Sequence, residues 1–161
     1  MIRLNKYISN SGVCSRREAD VLIAEGKIKI NNKVVTTLGT KVTEQDQVVY
    51  NGKVLKAEKH QYILINKPKN CITTVKDTHD RKTVMDIIEG ACDQRVYPVG
   101  RLDRDTTGLL LLTNDGELTK RLTHPSFGIK KKYVIQLENS LHSDSLKEMV
   151  KGINLEDGQI K

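Results

Sequence analysis

The chain has 161 residues, 37% hydrophobic and 29% charged, the balance of a soluble globular protein with room for one ordinary domain or a small domain and part of another. Its longest clean apolar run, Leu109 to Leu112, is too short for a membrane span, and its N-terminus lacks the apolar core of a secretion signal, so the cytoplasm is the expected compartment. The net charge of +7 is uneven: residues 1–60 carry 11 Lys/Arg against 6 Asp/Glu and residues 61–161 carry 16 against 14, which makes the first third a basic module suited to a polyanion.

In chain order, Leu4, Tyr7 and Ile8 share one helical face, and Gly12 is placed to stop that helix. Ser15 and Glu18 form a capping box for a second helix, with Ala19, Leu22 and Ile23 as its apolar stripe and Gly26 at its end. Lys27 to Ile30 and Lys33 to Val35 read as a hairpin around Asn31-Asn32. Val48 to Tyr50 and Lys53 to Leu55 read as another around Asn51-Gly52, a pair that tolerates the positive φ angles of a type I′ turn. The polar stretch Lys56 to Gln61 is the expected linker, dividing a domain of residues 1–58 from one of residues 59–161.

Beyond the linker, Tyr62 to Ile65 is an apolar strand stopped by Pro68, and Cys71 to Val75 is a second strand candidate. Thr83 can cap a helix carrying Val84, Ile87 and Ile88. Arg95 to Val99 and Leu109 to Thr113 read as strands flanking a polar loop, Gly100 to Gly108. Asn114-Asp115-Gly116 is a turn before a helix from Glu117 to Thr123; Tyr133 to Leu137 alternates like a strand; Asp144 to Lys151 is a helix ended by Gly152. Strands and helices mix without a strand–helix repeat, so the expected fold class is α+β: a small N-terminal α/β module followed by a mixed, mainly antiparallel sheet.

Two places carry chemistry. Arg16 and Arg17 occupy the first turn of a capped helix, where the helix dipole disfavours cations, and a phosphate docked there would account for them. Arg3 and Lys6 can join the same face. The second place is the loop Gly100 to Gly108, which holds Asp103 between Arg101 and Arg104. Neighbouring cations keep a carboxylate ionised, and an ionised carboxylate can act on an electron-poor sugar carbon, although a solvated turn has the same composition. A calcium loop starting at Asp103 fails, because its twelfth position is Asn114 rather than a bidentate Glu. An aspartate-nucleophile phosphatase fits poorly, since the apolar strand follows Asp103 and Asp105 instead of leading into them. Cys14, Cys71 and Cys92 form neither a metal pattern nor a disulfide framework, and His79, His124 and His142 have no metal-ligand spacing, so no metal is expected.

The segment RLNKYISNSGVCSRREADVLIAEGKIKINNKVV resembles the S-four RNA-binding domain over roughly residues 2–50. Gly100-Arg101-Leu102-Asp103, with the continuation from Thr107 to Leu118, resembles the signature of the ribosomal RNA pseudouridine synthases of the RsuA-like family. Ile65-Asn66-Lys67-Pro68 resembles that family's entry motif and Lys131-Lys132-Tyr133 its later strand, in the same order along the chain. The resemblance implies a mainly antiparallel pseudouridine synthase domain that isomerises one uridine of ribosomal RNA without a cofactor, large-subunit RNA being the favoured target. It implies Asp103 as the group acting on the anomeric carbon, Arg101 as its partner, and Tyr133 as the ring that stacks on the flipped uracil. Arg3, Lys6, Ser15, Arg16, Arg17, Lys67 and Arg104 are the expected RNA contacts, with Lys67 neutralising backbone phosphate. The family suggests a monomer. The alternative is a ribosomal-RNA-binding protein that uses only the basic module. The family's later Gly-x-x-Arg-Gln-Ile-Arg-Arg segment does not occur before the chain stops at Leu155 to Lys161, so a fragment of a longer catalytic domain is expected.

Overall fold

The computed structural model describes residues 1–156 and 158–160. The chain divides into two units, Met1–Gly128 and Ile129–Lys161. The class is α+β, built from helices and antiparallel sheets.

The first unit opens with β1 (Ile2–Arg3), α1 (Leu4–Asn10) and α2 (Arg16–Ala24). β2 (Ile28–Ile30), β3 (Lys33–Val35), β4 (Lys41–Val42), β5 (Val48–Tyr50) and β6 (Lys53–Val54) follow. The capping box forms as its residues demand: Ser15 Oγ accepts from Glu18 N at 3.2 Å and a Glu18 carboxylate oxygen accepts from Ser15 N at 2.8 Å. Both hairpins form, because Asn31 (φ 48°) with Asn32 (φ 68°) and Asn51 (φ 48°) with Gly52 (φ 75°) supply the paired positive φ angles the turns need. The strands run β3-β2-β5-β6, all antiparallel, while β1 and β4 pair separately. That last pairing joins two-residue segments too short to show a period in sequence. Leu4, Ile8, Ala19, Ile23, Ile28, Val42, Val48 and Leu55 are buried together as one core.

After an irregular stretch, 55–61, come β7 (Tyr62–Lys67), α3 (Val84–Ile87), β8 (Tyr97–Pro98), β9 (Gly108–Thr113) and α4 (Gly116–Thr123), closed by a 3-10 turn at Pro125–Phe127. β9 is the central strand, antiparallel to β7 and β8 on either side. One face of this sheet turns Leu110 and Leu112 into a second core with Cys71, Val84, Ile88 and Val96, while Leu64 and Leu109 stay exposed.

Three expected elements of this unit differ. Cys71 to Val75 is not a strand and makes a single bridge, Ile72 with Thr83; the Cys71 N–H goes to Arg104 O at 3.4 Å and the Thr74 N–H turns back to Ile72 O at 3.2 Å, so no ladder extends from it. The strand at Arg95 to Val99 shrinks to Tyr97–Pro98 on the sheet edge, where a residue without an N–H is tolerated. Asn114 to Gly116 is less a free turn than a helix start, because Asp115 N-caps α4 through Glu117 N and Leu118 N.

The second unit holds α5 (Ser143–Lys151) and a hairpin of β10 (Ile153–Leu155) with β11 (Gly158–Ile160). Tyr133 to Leu137, expected as a strand, runs as irregular chain. A period of two makes a strand only beside a ladder partner, and none faces it among the described residues. In the chain's final stretch, Asp157 and Lys161 lie outside the described residues. No helix is long and apolar enough to cross a membrane among those residues.

Candidate active site

The Gly100 to Gly108 loop leads into the central strand β9 and is held from both sides of Asp103. On the N-terminal side, the Thr73 hydroxyl donates to Leu102 O at 2.7 Å and accepts from Leu102 N at 3.2 Å, while the Leu102 side chain packs against the second core. On the C-terminal side, Lys67 sits at the end of β7 with its side chain wholly buried. Its ammonium donates to Pro68 O at 2.9 Å, Arg104 O at 3.0 Å and Thr106 O at 2.8 Å. Thr106 N closes the turn on Asp103 O at 3.1 Å. The Asp103 backbone is thereby fixed by its neighbours, while its carboxylate stays exposed and, among the described residues, enters no ion pair.

The arrangement corrects the reading of Lys67 as a phosphate contact. An ammonium has three protons, and all three are given to carbonyls in the interior, so none is left for an RNA backbone. Lys67 is a positioning residue. Arg101 lines the same cleft as Asp103 but forms no ion pair with it; Arg104 lines it too and donates to Asn70 Oδ1 at 3.4 Å. Tyr133 lies in the second unit, 75% exposed on irregular chain.

The cleft has a volume of about 600 Å³ and is lined from within residues 72–81 and 101–104. Its second wall was not legible as a site, because Cys71 to Val75 reads as a strand in sequence and His79 only as a histidine without metal-ligand spacing. The available signal was Asp77 with Arg81 four positions on. The Asp77 carboxylate accepts from Arg81 Nη2 at 2.7 Å, from Arg81 N at 2.8 Å and from His79 N at 3.1 Å. The guanidinium and these amides hold the Asp77 carboxyl far below the usual carboxylate range.

On the basic module, Arg16 and Arg17 are exposed in the first turn of α2, and Arg3 is exposed on β1. Arg16 Nη2 reaches Asn5 Oδ1 at 3.5 Å, and Asn5 ties α1 to α2 by donating to both Asp20 carboxylate oxygens at 3.0 and 3.1 Å. Lys6 meets Glu117 at 3.4 Å. The Ser15 hydroxyl accepts the Glu18 N–H as the cap of α2. Its backbone and side-chain bonds to Glu18 lower that carboxyl below its ordinary value.

Residues 61–160 match the family model described as RNA pseudouridylate synthase, and residues 2–48 match the model described as S4 domain. A Bacillus subtilis protein described as ribosomal large subunit pseudouridine synthase B is 47% identical over 99% of this chain and 65% of its own length. An Aquifex aeolicus protein described as an uncharacterized RNA pseudouridine synthase is 46% identical over 99% of this chain and 65% of its own. A crystal structure of a pseudouridylate synthase superposes with a TM-score of 0.57 at 29% identity, covering all of this chain and 70% of that one. The chain thus spans about 65% of the length of the first two relatives.

Proposed function

The chain belongs to the RNA pseudouridylate synthase family, with an S4 domain at its N-terminus, and from that premise we propose that it converts a uridine of ribosomal RNA to pseudouridine. The observation that carries the reading is Asp103: an exposed carboxylate, free of ion pairs among the described residues, on a loop clamped by Lys67 and Thr73. A carboxylate so placed can act on the anomeric carbon of a sugar without first giving up a cation. In the reaction the bond from that carbon to uracil N1 breaks, the base turns, and a bond to C5 forms. C5 gives up its proton and N1 ends protonated, so the change is an isomerisation and consumes no cofactor. A stacked base cannot turn, so the target must be a loop nucleotide or one flipped from its stack.

We assign the substrate to large-subunit RNA on the strength of the Bacillus subtilis relative, whose description names that subunit. The two hydrophobic cores on either side of residues 56–61 support a boundary near residue 58, with the module of residues 1–58 gripping RNA and residues 59–161 carrying the chemistry. In this scheme Arg3, Lys6, Arg16 and Arg17 take phosphates, with Ser15 holding the start of α2 in place beneath them. Arg101 and Arg104 neutralise RNA beside Asp103, and Tyr133 stacks on the base. The protein acts as a monomer in the cytoplasm.

The test is pseudouridine formation on unmodified large-subunit RNA by wild type and Asp103→Asn. The expected result is complete loss of product with unchanged thermal stability, since this side chain makes no ion pair that could be lost. Undiminished product formation by the variant would remove Asp103 from the mechanism.

A further inference from the structure

The second wall of the Asp103 cleft carries charge that the proposed chemistry has not used. Lys76, Arg81, Arg101 and Arg104 contribute four cations to the lining, against Asp77 and Asp103. Asp77 is engaged by Arg81, so the lining is net positive. The Asp77–Arg81 pair is also asymmetric: the acid side chain is 8% exposed and the arginine 50%. Asp77 takes the Nε and Nη2 edge of the guanidinium, and among the described residues Nη1 has no hydrogen-bond partner. A plain surface ion pair leaves both partners solvated. Here a tucked-in carboxylate grips one edge of a planar fork and leaves its other edge free, an orientation suited to an oxyanion.

Lys76 extends the same wall toward the basic module. Its side chain is 87% exposed and its ion partner is Glu18, 3.7 Å away. That carboxylate is already committed to Ser15 N at the start of α2. An exposed pair at this distance contributes little, so the ammonium can be exchanged to a phosphate at small cost. Through Glu18, Lys76 lies beside the helix start that bears Arg16 and Arg17.

We infer that Arg81, aimed by Asp77, and Lys76 form a binding site for RNA backbone phosphates beside the target nucleotide, continuing the track of the N-terminal module into the Asp103 cleft. The inference rests on RNA being the substrate. It makes Asp77 a positioning residue that acts through Arg81.

The experiment measures affinity of the full chain for an unmodified transcript of large-subunit ribosomal RNA, in the Asp103→Asn background so that substrate is not consumed, at salt from 50 to 200 mM. Arg81→Gln and Lys76→Gln are each expected to weaken binding about tenfold and to reduce the salt slope by about one. Asp77→Asn removes a negative charge, so a cleft that binds by charge alone would bind tighter. The aimed site predicts weaker binding, and in the otherwise native chain a raised KM at nearly unchanged kcat. Arg81→Lys should keep the salt slope while losing affinity, because an ammonium cannot be gripped along one edge. Wild-type affinity and slope in both Gln variants would overturn the site, and tighter binding by Asp77→Asn would overturn its positioning role. If these shifts appear while the native chain makes no pseudouridine, the phosphate site stands and the proposed reaction falls.

Discussion

The residue on which the loop geometry turns is Lys67. Its charge is buried and satisfied by three carbonyls, two of them in the loop that presents Asp103. Lys67→Met keeps the length of the side chain but takes the donor from the Pro68 and Thr106 carbonyls, while Arg104 O keeps the Cys71 N–H, which costs about 1–3 kcal/mol for each carbonyl left unpaired. The expected result is a fall in unfolding free energy of about 3 kcal/mol, read as a lower urea midpoint, together with a loss of turnover that exceeds any change in RNA affinity. A midpoint equal to wild type would show that the ammonium does not hold the loop. Asp103, one residue beyond Thr73's grip on Leu102 and exposed, is the opposite case: its substitution should cost chemistry and no stability.

Elements in this chain are set by short polar contacts as much as by apolar stripes. α2 begins at Ser15 because that residue and Glu18 satisfy each other's backbone N–H groups. Ser15→Ala should therefore destabilise the protein by about 1 kcal/mol and lower its melting temperature; an unchanged melting temperature would mean the cap is dispensable. The loop holding Arg81 responds to pH in a definite direction. Its Asp77 carboxyl is depressed by Arg81 and by the His79 and Arg81 amides, so the stabilisation is fully present above the unfolded carboxylate value of about 4 and is lost as pH falls through the folded one. Across pH 5 to 8 the Asp77 carboxylate is expected to stay ionised and the pair with Arg81 intact. In acid titrations of stability, Asp77→Asn should lie below wild type at pH 7 and the gap should narrow steadily as pH falls below about 4; parallel curves throughout would remove the linkage.

For the molecule as a whole, the concentration of charge in residues 1–60 and in the Asp103 cleft predicts strongly salt-dependent RNA binding. If Arg3, Lys6, Arg16, Arg17, Lys76, Arg81, Arg101 and Arg104 each neutralise a phosphate, a plot of log affinity against log salt should fall with a slope of about −6 to −7. A slope near −1 would confine the contact to a single site and remove most of these residues from the interface.

Features whose cause lies within a few residues were decided by the sequence alone. The Ser15–Glu18 box, the Asn31-Asn32 and Asn51-Gly52 turns and the Thr83 cap all form where local chemistry puts them, because each needs only partners close along the chain. The aspartate loop was legible for the same reason, as a contiguous motif. Long-range contacts decided the rest. Cys71 to Val75 has the composition of a strand, but Thr73 and Cys71 N are taken up by Leu102 and Arg104, some thirty positions away. Tyr133 to Leu137 alternates like a strand without a ladder to join. Lys67 looks like any surface cation until the fold brings Arg104 and Thr106 over it, and the Asp77–Arg81 wall becomes part of a cleft only when folding sets it beside Asp103. A side chain's environment is built by residues distant in sequence, so its exposure, and with it the work its charge can do, is a property of the tertiary structure.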